Sequence, residues 1–128
     1  MNSLYNISIQ LYVIAIRFAA LFNAKAKLWT KGRKAIFQKI EEVTKGERNI
    51  VWFHCASLGE FEQGKPIIKG YKQKYPSHKI LLTFFSPSGF EIRKNYEGAD
   101  WVFYLPADTK ANAKKFISIV KPIKVIFI

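Results

Sequence analysis

The sequence predicts an α/β fold, a Rossmann-like parallel sheet preceded by a helical and strongly basic N-terminus. From Asn49 onward, short apolar runs alternate with amphipathic stretches over brief connections, the pattern of βαβ units with right-handed crossovers. The run Ile50-Val51-Trp52-Phe53 empties into His54-Cys55-Ala56-Ser57-Leu58-Gly59-Glu60, a strand end followed by a turn carrying a hydroxyl, a glycine and a carboxylate. Ligands of open α/β sheets bind at such an edge. At 128 residues, 49% apolar and 16% aromatic, the chain has room for one domain with a real core and is not disordered.

The N-terminal region comes first. Apolar residues at Leu4, Ile7, Leu11, Ile14, Phe18, Leu21 and Phe22 form a helical stripe. As a helix of ~1.5 Å rise per residue, residues 4–22 reach roughly 28 Å, barely a bilayer's hydrocarbon thickness. Asn6, Gln10 and Arg17 interrupt the run. Arg17 alone would cost about 2.5–3.5 kcal/mol at mid-membrane, so the stripe fits a helix lying in the interface, or dipping into one leaflet, better than one crossing it. Docking of the same stripe on a second domain is the competing reading. No signal-peptide cleavage pattern is present.

Nine basic and three acidic residues lie between Arg17 and Arg48, half of the net charge of +12. Such flanks bind anionic headgroups on the cytoplasmic side, with Trp29 expected as an interfacial aromatic. Residues 33–44 read as a second amphipathic helix stopped by Lys45-Gly46-Glu47. No nucleic-acid motif accompanies the charge. Residues 1–48 therefore form a membrane-associating segment and residues 49–128 the Rossmann-like domain.

Within that domain, strands are expected at 50–53, 79–83, 101–105 and 123–128. Helices are expected at 60–75 (Ile67, Ile68, Tyr71 and Tyr75 on one face), 88–95 and 107–120 (Ala111, Phe116, Ile119 and Val120 inward). Pro76-Ser77 and Pro122 end two of them. The final apolar run Val125-Ile126-Phe127-Ile128 reads as the end of an N-terminal piece of something longer. The loops 55–60, 84–89 and 106–109 fall on one sheet edge and supply Ser57, Gly59, Glu60, Ser86, Ser88, Gly89 and Asp108.

Local spacing leaves Glu60 open between two roles. Ser57-Leu58-Gly59-Glu60 fits a capping box, in which Ser57 caps the helix and Glu60 reaches back to the cap's N–H. Ser88-Gly89-Phe90-Glu91 fits the same pattern. Asp108 reads as an N-cap, His54 as a core or hydrogen-bonding histidine, and Gly59 and Gly89 as sites of tight turns or close backbone approach. The single Cys55 excludes an intrachain disulfide and a cysteine-based zinc site. With only His54 and His78 no metal cluster is expected. There is no G-x-G-x-x-G and no P-loop.

Four segments in order give a more specific reading. Residues 52–60 resemble the H-x-x-S-x-G-E motif of 3-deoxy-D-manno-octulosonic acid (Kdo) transferases. Thr83-Phe84-Phe85-Ser86-Pro87-Ser88-Gly89 is similar to that family's T-x-x-T-P-T-G turn, with serines for two threonines and Phe84 where a hydroxyl is expected. Tyr104-Leu105-Pro106-Ala107-Asp108 resembles its Y-L-P-x-D segment, and Lys121-Pro122 precedes a strand as in the family. Lys31-Gly32-Arg33-Lys34 after an apolar helix fits as well.

The resemblance implies the N-terminal, acceptor-side half of a GT-B glycosyltransferase whose C-terminal donor domain lies outside this chain. It implies metal-independent, inverting transfer of Kdo from CMP-Kdo to a lipid A precursor, at anionic lipid on the cytoplasmic face of the inner membrane. Glu60 would be the general base; Ser57, Gly59, Ser86, Ser88 and Gly89 would shape the acceptor side. No cofactor is implied, and the CMP-binding residues and a further family glutamate would follow Ile128. The domain alone would be inactive. The rival expectations are a non-catalytic membrane-docking module that binds anionic lipid, with Glu60 only a cap, or another GT-B transferase.

Overall fold

The computed structural model describes residues 2–128. Three helices, α1 (Asn2–Ala19), α2 (Ala24–Gly32) and α3 (Ile36–Thr44), precede β1 (Ile50–Cys55), α4 (Leu58–Lys74), β2 (Lys79–Phe84), α5 (Pro87–Arg93), β3 (Trp101–Tyr104), α6 (Lys110–Val120) and β4 (Lys124–Phe127). The four strands form one parallel sheet in the order β3-β2-β1-β4. The chain steps outward from β1 to β2 to β3, then returns through α6 to the far side of β1. That reversal makes the gap between β1 and β4 the topological switch point, where open α/β sheets bind ligands at the strands' carboxyl ends.

The central strands are buried on both faces, which is why β1 and β2 are apolar along their length rather than alternating. On one face Ile50, Trp52, Leu81 and Tyr104 pack with Ile36 and Ile40 of α3 and Phe116 and Val120 of α6. On the other, Val51, Phe53, Ile80, Leu82 and Phe84 meet Phe61 and Ile68 of α4. Two inward assignments do not hold: Ile67 and Ala111 are exposed. Each sits one residue off the stripe that faces the sheet, and Ile68 and Phe116 take the buried places.

The second predicted helix begins later than residue 33. Ala35 adopts φ 53°, a left-handed conformation unusual for a residue with a Cβ, and it separates α2 from α3. The break frees Arg33 from the helical repeat. Trp29 is not an interfacial aromatic: it is only 6% exposed, packed edge-on to Tyr12 and Phe85 and lying under the Arg33 guanidinium. An indole that a bilayer interface would hold is instead a wedge between α1, α2 and the loop after β2.

No residue of α1 is buried. Its inward side carries Ile9, Val13 and Ile16, half covered; its outward side carries Leu4, Ile7, Leu11, Ile14 and Phe18, all exposed. No helix among the described residues is long and apolar enough to cross a membrane. At the other end of the molecule β4 is an edge strand, bonded only to β1, with Val125 and Phe127 exposed.

Candidate functional site

The three loops after β1, β2 and β3 meet at the carboxyl edge as the topology requires. Ser86 N–H donates to Ala56 O at 2.9 Å and Leu105 N–H to Phe84 O at 2.8 Å, so each loop is tied to its neighbour by backbone. Each loop ends in a helix N-terminus: Ser57 caps α4, Ser86 caps α5 and Thr109 caps α6. Ser86 rather than Ser88 is the cap of α5, accepting from Gly89 N–H at 3.3 Å. Pro87 at the first helical position, where its missing N–H costs nothing, is the reason. Ser88 instead hydrogen-bonds Ser86 through the hydroxyls at 3.0 Å. Thr109 likewise displaces Asp108 as cap by accepting from Asn112 N–H at 3.2 Å.

Glu60 occupies a modified capping box. Ser57 Oγ accepts from the Glu60 N–H at 3.3 Å, as expected. The Glu60 carboxylate, however, reaches past the cap and takes the N–H of Ala56 at 2.5 Å through Oε2. Extended backbone at Ser57 (φ −135°, ψ 169°) sets the turn in which this contact forms. Among the described residues, Oε1 accepts no hydrogen bond. One oxygen thus anchors the side chain to the rigid strand end while the other is left for an incoming group.

The two glycines differ. A Cβ on Gly89 would stand 2.5 Å from Phe84 Cδ1 and 3.2 Å from the Leu58 amide nitrogen. Gly89 is therefore the close approach that lets the second loop nest against the first. Gly89→Ala should cost roughly 1–3 kcal/mol by overpacking, read as a lower midpoint of chemical unfolding. Gly59 has open space beside it, with only Ser57 Oγ at 3.9 Å; it bares backbone rather than relieving a clash. Phe84, where a hydroxyl was expected, is fully buried against Phe61 and faces the core.

Two residues of the site, His54 and Arg33, fall within the quoted segments but receive no role in the site from them. Trp52 Nε1–H donates to Thr83 Oγ1 at 2.8 Å, and His54 Nδ1 stands 2.8 Å from the same oxygen. Burial holds His54 below the usual imidazole range against the pull of Glu60, so the ring is neutral at pH 7. Its electrostatic neighbours include both Glu60 and Asp108. His54 also lines a cavity of about 380 Å³ at the switch point, with Trp52, Phe116, Phe127, Asp108 and Asn112. Arg33 is the second. It donates through Nε to Leu105 O and through Nη2 to Phe85 O, both at 2.8 Å, and through Nη1 to Trp29 O at 3.3 Å. Its guanidinium lies over Trp29, Tyr104 and Phe85. Burial lowers its pKa to about 10, which leaves it charged at neutral pH, with no carboxylate bound to it among the described residues.

Asp108 lies apart from Glu60, on the α6 side, where it accepts the Tyr5 hydroxyl at 2.5 Å; Lys110 N–H donates to Asn6 Oδ1 beside it. The start of α1 is therefore clipped to the third loop. Cys55 is fully buried, and burial, aided by Glu60, pushes its thiol up to about 12, an inert state. No group of three or more metal-ligating side chains occurs among the described residues.

Comparison with known proteins agrees with the local motifs. Residues 18–128 match the family model described as 3-deoxy-D-manno-octulosonic-acid transferase. The chain is 37% identical over 90 residues to the 3-deoxy-D-manno-octulosonic acid transferase of Aquifex aeolicus, covering 70% of this chain and 24% of that protein. It is 32% identical over 73 residues to the enzyme of that name from Haemophilus influenzae, covering 56% and 17%. With the one from Chlamydia trachomatis serovar D it shares 36% over 86 residues, covering 65% and 20%. The matched region is about a fifth of the length of these relatives. No solved structure matches significantly. With its parallel sheet, its Ser57–Glu60 turn and a family match spanning nearly its whole length, the chain belongs to the Kdo transferase family of glycosyltransferases.

Proposed function

We propose that this chain is the acceptor-side domain of an inverting, metal-independent GT-B Kdo transferase that acts on a lipid A precursor with CMP-Kdo as donor. The observation that carries the reading is Glu60, a carboxylate anchored by one oxygen to the strand end and open at the other. In an inverting transfer one base removes the proton from the acceptor hydroxyl as its oxygen attacks the anomeric carbon. The C–O bond to CMP breaks in the same step, and CMP leaves as a stable anion without a protein acid. Ser57, Gly59, Ser86 and Ser88 offer hydroxyls and bare backbone beside Glu60 for the acceptor sugar, and Gly89 shapes the same wall by letting the second loop close against the first. Turnover by a complete enzyme carrying Glu60→Gln is the deciding measurement.

We further propose that the domain works at the cytoplasmic face of the inner membrane, with α1 lying on anionic lipid. The outward stripe of α1 supports this, as does a groove of about 780 Å³ beside α1 that holds Arg17, Lys27, Lys31, Arg33, Lys34 and Lys115 and no carboxylate. Each basic residue near a negative surface contributes about 1 kcal/mol. Ile14→Asp with Phe18→Asp is expected to abolish sedimentation with vesicles containing phosphatidylglycerol. Wild-type binding should weaken at least tenfold between 0.05 and 0.5 M salt, on the order expected from screening. Unchanged binding of the double variant would point instead to α1 docking on protein. A lipid-docking module without catalysis would share this surface, and would differ in tolerating Glu60→Gln.

A further inference from the structure

We propose that the cavity at the β1–β4 switch point is a sugar subsite in which His54 donates a hydrogen bond, through Nε2–H, to an oxygen of the bound sugar. Thr83 sets the protonation of the ring. Its hydroxyl is sealed from solvent and accepts the Trp52 indole N–H, a group that can only donate. Thr83 has one proton of its own to place, and the only other side-chain partner of Oγ1 among the described residues is His54 Nδ1 at 2.8 Å. With Thr83 donating there, Nδ1 accepts, and the neutral ring carries its proton on Nε2. The opposite tautomer would strand the Thr83 proton in the core, at a cost of about 1–3 kcal/mol.

Nε2 has no partner among the described residues and is not sealed from solvent. The ring it belongs to lines the cavity. The remaining walls suit a sugar ring: Trp52, Phe116 and Phe127 offer aromatic surface, while Asp108 and Asn112 in the same lining offer polar groups for hydroxyls. Phe127 also meets the imidazole edge-on at a centroid distance of 5.5 Å, and Trp52 lies tilted to it at 6.4 Å. His54 is therefore oriented before any ligand arrives, and Thr83 is its positioning residue. This subsite rests on the transferase reading for the identity of its sugar, not for its geometry.

Two measurements test it. Nitrogen-15 NMR of the 128-residue chain at pH 7 should show His54 as the Nε2–H tautomer, and Thr83→Val should release that preference. Glucosamine added to the same chain should shift the His54 Nε2 resonance. In a complete enzyme, His54→Phe should raise the acceptor KM at least tenfold with kcat within threefold, and His54→Gln, which keeps a donor near the Nε2 position, should recover most of the loss. An Nδ1–H tautomer, an unshifted resonance, or a loss confined to kcat overturns the proposal. Unfolding midpoints separate a folding defect from a binding one, and His54→Gln carries the test if His54→Phe fails to fold. Absence of Kdo transfer by the wild-type enzyme would refute the transferase reading, and the NMR results would still decide the subsite.

Discussion

A complete transferase carrying Glu60→Gln should turn over about a thousandfold more slowly than wild type, with the acceptor KM nearly unchanged. General-base catalysis contributes on the order of 10²–10⁴ to rate, and an amide cannot take the proton. The substitution isolates that function because it preserves the local structure. Glutamine retains an oxygen to accept the Ala56 N–H, and the Ser57 cap is untouched. The loss of negative charge at the start of α4 should cost only about 0.3–1 kcal/mol. Ser57→Ala gives the converse result, with about 1 kcal/mol of stability lost, kcat kept within a few-fold and the loss of its hydroxyl felt in the acceptor KM. Near-normal turnover by Glu60→Gln would leave Glu60 as a cap and remove the catalytic assignment.

Arg33→Met should destabilise the fold by about 2–4 kcal/mol, since buried acceptors left unpaired cost ~1–3 kcal/mol each. The carbonyls of Phe85 and Leu105 lie at the ends of two strands and have the Arg33 guanidinium as their common donor. Methionine fills the space between Trp29 and Tyr104 but offers them nothing. Arg33→Lys should recover only part of the loss, because an ammonium cannot donate in the planar fork that spans both loops. At this chain length a loss of that size lowers the thermal midpoint by roughly 10 °C. Equal midpoints for all three proteins would show that water replaces the guanidinium without penalty.

These two residues also mark where sequence reading succeeds and where it stops. A role for Glu60 as base is implied only by the family resemblance, whereas its place in a capping turn at the sheet edge is legible because its determinants are local: a strand end, a serine, a glycine and a helix start within a few residues. The sheet could be found for the same reason, each strand announcing itself as an apolar run between breakers. Arg33 is one basic residue among 21, and its partners lie 52 and 72 positions away. Only the break at Ala35 and the packing of α2 bring them together. His54 depends on register, since Thr83 becomes its neighbour only when β1 and β2 pair residue for residue. The misplaced caps are of a different kind. Ser86 and Ser88 compete on equal chemical terms, and Pro87 is the sequence signal that favours Ser86. Trp29 reads as interfacial because an amphipathic aromatic suits a lipid interface and a helix junction equally well.

The open edge at β4 has a practical consequence for the isolated chain. Ile123-Lys124-Val125-Ile126-Phe127-Ile128 is a six-residue segment of high β-propensity with no internal proline, and Val125 and Phe127 stand exposed on it. Its free backbone groups are a template for strands of other molecules. Lys124 is the single charge that interrupts stacking of such segments. At high concentration the chain should therefore form ordered aggregates that grow from this strand, and a second lysine at Phe127 should keep it in solution.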